Sequence, residues 1–167
     1  MKKKIVLYTN KKLRKKSTPV LKIDNSIKKL IEDMLDTMKA GNGVGLSAIQ
    51  IGKPKRVVVY EYVKSKNSKD PTPNIPLRVL INPEIIKASK KTEKDEEGCL
   101  SFPGLYAEVK RPCTVKVKAL DINGKKIEFE AKGLEARVLQ HELDHLDGVL
   151  FVDYLDSTDK LYTYEIT

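Results

Sequence analysis

The chain has two histidines, and both stand in one short stretch, LQHELDHLDG, as His141 and His145 with Glu142 beside the first. The segment from Leu134 to Leu146 has helical periodicity. At roughly 100° per residue, Leu134, Val138, Leu139, Leu143 and Leu146 share one broad face. His141, Glu142 and His145 project from that same face, while Arg137, Gln140, Asp144 and Asp147 fall on the opposite side. A helix buries its leucines against another layer, so the three ionisable groups go inward with them. Without partners their burial costs several kcal/mol. Any fold this chain adopts must compensate them at that one place.

A cation is the economical compensation. Histidines at i and i+4 reach one ion, and a neighbouring carboxylate can act on a water held there. The plainer alternative is two hydrogen-bonded histidines on a packing helix. A catalytic site takes a third protein ligand and keeps the fourth position open. There is no third histidine. Glu165 has the spacing of a third ligand, but YTYEIT around it does not read as helical. Cys99, in EEGCLS, follows a glycine in what reads as a loop, where functional groups are often displayed. A thiolate there suits Fe(II), Zn(II), Ni(II) or Co(II). An ordinary buried thiol is the alternative. Cys113, after Arg111-Pro112, opens a strand and reads as a small core or surface residue, and two cysteines are too few for a disulfide scaffold.

The rest of the chain reads as α+β with mostly antiparallel sheets around the histidine helix, placed at about 134–146. An amphipathic helix is expected at about 26–40, where Ile27, Leu30, Ile31, Met34, Leu35 and Met38 step by three and four, with Asp24, Asn25 or Ser26 as its cap. A glycine-rich loop, GNGVGLSAIQIG, follows. RVVVYEYV reads as a strand, and LRVLINPEII as a short one ended by Asn82-Pro83. EEGCLSFPG reads as irregular. TVKVKALDINGKKIEFEA is the clearest hairpin, turning at Asn123-Gly124. One catalytic domain is expected over 1–167, with its core at about 5–155 and a short tail at 156–167.

The net charge of +9 is concentrated at one end: residues 1–30 carry eleven Lys/Arg and one acid. That could favour a polyanion such as ribosomal RNA, although a solvated lysine-rich surface is the plainer and favoured reading. No aromatic residues interleave the lysines in the way a single-strand nucleic-acid groove needs, and specific DNA binding is not expected. No apolar run is long enough for a bilayer, and the start does not read as a signal peptide. The cytoplasm is the expected compartment.

Three segments, GVGLSAIQ at 43–50, EGCLS at 97–101 and QHELDH at 140–145, resemble in order and spacing the three motifs of the peptide deformylases. The resemblance runs from VLYTNKKLRKKSTPV through GVLFVDYL. It implies a metal-dependent hydrolase that removes the formyl group from the N-terminal formylmethionine of new polypeptides and releases formate. It implies that Cys99, His141 and His145 hold one divalent ion, usually Fe(II), which Zn, Ni or Co can replace. A metal-bound water would attack the formyl carbon with Glu142 as general base and then acid. The Gln50 amide and the Leu100 backbone N–H would stabilise the oxyanion. The backbone at Gly43 and Gly45 would pair with the extended peptide, Val44, Leu134 and Val138 would form the methionine pocket, and Tyr106 would shape its rim.

Two residues depart from the family pattern. Ser47 stands where alanine is common. Arg137 stands where bacterial members often have an apolar residue, so it is expected to narrow or charge one side of the pocket. Asp144 is expected to pair with Arg111. Two other readings use the same residues: a zinc endopeptidase with Glu165 as third ligand, and a structural metal site in a ribosome-binding protein. The second gives Glu142 no role and lacks a fourth ligand.

Overall fold

The computed structural model describes residues 1–66 and 68–164. Its order is α1 (Asn25–Ala40), β1 (Gly45–Ser47), a 3-10 turn (Ala48–Ile51), β2 (Val57–Tyr62), β3 (Ile75–Ala88), β4 (Thr92–Cys99), β5 (Phe102–Pro112), β6 (Thr114–Leu120), β7 (Lys126–Lys132) and α2 (Gly133–Leu146). All strand pairs are antiparallel. They form a five-stranded sheet, β1-β2-β3-β6-β7, and a two-stranded sheet, β4-β5. This is the α+β architecture expected; among the described residues there are two α-helices, and none is long and apolar enough to cross a membrane.

Why the apolar residues of β2 run without interruption becomes clear from its two faces. Val57 and Val59 pack with Ile27, Ile31, Met34 and Met38 of α1. Val58 and Tyr60 pack with Val138, Leu139, Leu143 and Leu146 of α2. Alternate residues of a strand face opposite ways, so β2 lies between the two helices and both faces are covered. Each fully buried aliphatic side chain there contributes about 1.5–3 kcal/mol. Helix α1 starts where the Asp24 side chain accepts from the Ser26 and Ile27 N–H groups at 2.9 and 3.1 Å. The β6–β7 hairpin turns as expected, with Asp121 Oδ1 accepting from the Asn123 and Lys125 N–H groups.

Three sequence expectations need correction. First, β3 does not end at Asn82-Pro83 but continues to Ala88. Asn82 takes a left-handed φ of 52° and the ladder shifts register there, between Ile81 and Glu84. The Asn82 side chain bonds both the N–H and the carbonyl of Val20, at 2.8 Å each. Asparagine tolerates that conformation, so the position is a bulge within a strand rather than its end. Second, the stretch read as irregular around Cys99 is the tip of a long hairpin, β4–β5, paired from Thr92–Pro112 to Cys99–Phe102. Third, the side of α2 opposite its leucines, which carries Arg137 and Gln140, is not left outside: both residues are buried. Helix α2 therefore has a second interior face, and it is polar.

Candidate active site

Helix α2 and the tip of the β4–β5 hairpin meet at the site. The Cys99 Sγ lies 3.3 Å from His145 Nε2. One ligand atom each from Cys99, His141 and His145 falls within 4.8 Å of the others. His141 Nδ1 is turned to Glu97 Oε2 at 2.9 Å. With that nitrogen donating, the opposite one is left as a lone-pair ligand. Buried Glu142 Oε2 and His145 Nδ1 have no hydrogen-bond partner among the described residues. A soft thiolate and two imidazoles converge beside an unsatisfied carboxylate, and that donor set fits a single divalent transition-metal ion.

Gln50 reaches the same point from the other side. It is held in the 3-10 turn after β1, where its Oε1 accepts from the Ser47 N–H (2.9 Å) and hydroxyl (3.0 Å). Its Nε2 is thereby directed at Cys99 Sγ (3.3 Å) and Ser101 Oγ (3.2 Å). The Ser47 hydroxyl thus helps fix which way the amide points. Strand β1 lies directly over the Glu142 carboxylate: a Cβ on Gly45 would sit 2.6 Å from Glu142 Oε1, so glycine permits this close approach. The Leu100 side chain packs against Gly41 and Gly43, which places its backbone at the hairpin turn facing the same loop.

Around these groups is a cavity of about 530 Å³. Gly43, Val44, Gly45, Gln50, Cys99, Leu100, Tyr106, Leu134, Val138, His141 and Glu142 all line it. Every site residue anticipated from sequence except His145 therefore borders one space, and His145 lies just behind, against Cys99. Tyr106 is at the rim, its ring over Gly98, where a Cβ would come within 2.7 Å. Tyr162 pairs with the Tyr106 backbone by two 2.9 Å hydrogen bonds, and the Tyr162 and Tyr164 hydroxyls both donate to Glu96. Glu165 lies outside the described residues. Cys113 is not part of the site; its backbone bonds to Lys91 and Gly133.

A buried charge network stands behind the Cys99–His141–His145 cluster, and sequence reasoning largely missed it. Glu97 accepts from Arg111 Nε (2.7 Å) and Nη2 (3.0 Å), from Arg137 Nη1 (2.9 Å) and from His141. Arg111 also reaches Asp144 at 2.6 Å, the one link anticipated. Burial pushes the Glu97 carboxyl up, but hydrogen bonds from Arg111 and His141 outweigh this and bring it down to about 2. Burial pushes Glu142 up to about 7, against the pull of His141. Arg137 corrects another expectation: it borders the cavity, but its charge is spent on Glu97 and on backbone carbonyls instead of entering the pocket. The sequence offered little signal for it: Glu97 lies in a stretch that reads as irregular, and its partners Arg111, Arg137 and His141 are remote in sequence.

The family model for polypeptide deformylase matches residues 2–161. A peptide deformylase from Phenylobacterium zucineum is 46% identical over 153 residues, covering 92% of this chain and 87% of that protein. The crystal structure of peptide deformylase from Ehrlichia chaffeensis superimposes with a TM-score of 0.88 at 37% identity, covering 96% of this chain and 91% of that one. The peptide deformylase of Acinetobacter baumannii, solved with Met-Ala-Ser bound, gives 0.88 at 34% identity over 93% and 99% of the two chains. A match of this extent, on a fold that gathers a cysteine, two histidines, a glutamate and a glutamine at one cavity, means that the chain belongs to the polypeptide deformylase family.

Proposed function

We propose that this protein hydrolyses the formyl group from the N-terminal formylmethionine of newly made polypeptides and releases formate, the whole chain acting as one catalytic domain. The observation that carries the reading is the convergence of Cys99, His141 and His145 with Glu142 and Gln50 at one cavity. Cys99, His141 and His145 would hold a divalent ion, Fe(II) in the cell, with Zn, Ni or Co able to replace it. When bound, such an ion lowers the pKa of water and polarises a carbonyl oxygen. Glu142 takes the proton of the attacking water on its unpartnered Oε2 and returns it to the departing amine. Gln50 Nε2 and the Leu100 N–H donate to the oxygen that becomes negative. Gln50 is already aimed by Ser47 and Ser101, so little reorganisation is needed.

The substrate backbone pairs in extended form with Gly43–Gly45. Its methionine side chain lies along Val44, Leu134 and Val138, with Tyr106 at the rim. Purified protein, kept anaerobic and assayed for iron, should release formate from formyl-Met-Ala-Ser and release no acetate from acetyl-Met-Ala-Ser. Metal-loaded protein that leaves the formyl peptide intact would remove the substrate assignment.

The cytoplasm is the matching compartment, and the ribosome the matching partner. The lysines of residues 1–30 are largely exposed and supply the polyanion contact. Co-sedimentation with ribosomes should weaken steeply as salt rises. Absent or salt-insensitive association would sink this part of the reading.

A further inference from the structure

The second interior face of α2 is a regular stripe. Arg137, Gln140, His141 and Asp144, at i, i+3, i+4 and i+7, all bond to the β4–β5 hairpin. Gln140 Nε2 donates to the Pro112 carbonyl at 3.0 Å, His141 to Glu97 at 2.9 Å, and Asp144 accepts from Arg111 at 2.6 Å. Arg137 does more than any of these. Its Nη1 donates to Glu97 Oε1 (2.9 Å), to the Val109 carbonyl (2.8 Å) and to the Asp95 carbonyl (3.4 Å). Its Nη2 donates to the Glu93 carbonyl at 3.0 Å. One planar fork thus grips both strands of the hairpin and a carboxylate between them. Lysine, a compact point charge, cannot span those acceptors. The charges also balance: Arg111 and Arg137 face Glu97 and Asp144.

The three candidate metal ligands are divided across this seam. His141 and His145 ride on α2, and Cys99 ends β4. We propose that Arg137 is a positioning residue for the metal centre: by clamping α2 to both hairpin strands, it sets the separation of the Cys99 thiolate from the two imidazoles. The proposal rests on the reading of Cys99, His141 and His145 as ligands. It gives a role to the residue that departed from the expected apolar pattern. It also explains why a side chain bordering the cavity turns its charge away from it.

The test is cobalt binding by wild type, Arg137→Met and Arg137→Lys, followed through the thiolate-to-cobalt absorption band. Urea unfolding of each metal-free protein runs alongside. The expected result is a Kd for cobalt raised about 10–100-fold in Arg137→Met, with the band shifted or weakened. Arg137→Lys should show a smaller loss in the same direction. If Arg137→Met does not fold, Arg137→Lys carries the test. Folded variants that bind cobalt with wild-type affinity and spectrum, even with lowered urea midpoints, would show a merely structural arginine and overturn the proposal. Wild type that takes up no cobalt would remove the metal-site reading and the proposal with it. Normal cobalt binding without formate release would fault only the substrate assignment.

Discussion

Glu142→Gln should lower kcat by about 10²–10⁴-fold, the range for loss of a positioned general acid–base group, while the protein keeps its metal. The substitution preserves shape, and shape matters here because β1 presses on the carboxylate at Gly45. What it removes is the ability to accept a proton at Oε2, an atom with no other partner. The measurement is kcat on formyl-Met-Ala-Ser together with metal content per chain. Activity within tenfold of wild type would take Glu142 out of the proton path. Activity lost together with metal would make it a support of the ligand set.

Glu97→Ala should destabilise the protein by about 3–5 kcal/mol, the usual cost of breaking a buried ion pair from one side. It leaves the Arg111 and Arg137 guanidiniums without their shared carboxylate, and frees His141 Nδ1 as well. Its carboxyl lies at about 2 in the folded protein, against an ordinary 4.5. A depressed carboxylate contributes stability that is fully present above its unfolded value and is lost as pH falls towards its folded one. Metal-free wild type should therefore lose urea resistance as pH drops from 4.5 towards 2, and Glu97→Ala should show a flatter profile in that window. Equal slopes for the two proteins would mean that Glu97 is not held ionised by its partners.

Much of the fold was readable because it obeys apolar periodicity. The α1 stripe from Ile27 to Met38, the β6–β7 alternation and the leucine face of α2 all announce themselves this way. What escaped is what hydrogen bonds bury. Strand β4 reads TEKDEEGC, and Glu97 is its one fully buried side chain, so no apolar alternation marks it. Arg137 and Gln140 look like solvent residues on a helical wheel, because a wheel separates apolar from polar and not inside from outside. Their burial depends on acceptors supplied by a hairpin remote in sequence. The candidate ligands were legible for a different reason. His141, His145 and Cys99 sit in short motifs whose chemistry is local, whereas Glu97, Arg111 and Ser101 work through neighbours that only the folded chain brings near.

The division of the candidate metal ligands between a hairpin and a helix also sets a timetable. Cys99 precedes His145 by 46 residues. At about 5–20 residues per second of elongation, the thiol is made seconds before the last imidazole. Neither the hairpin nor the helix alone offers a complete donor set. An ion held by all three would therefore be acquired only once the chain has been made through His145. The apolar clusters around β2 and the Arg111–Glu97–Arg137–Asp144 network contain no metal ligand. They can form before the ion arrives, so the wait for metal is spent as a folded protein rather than an unfolded one.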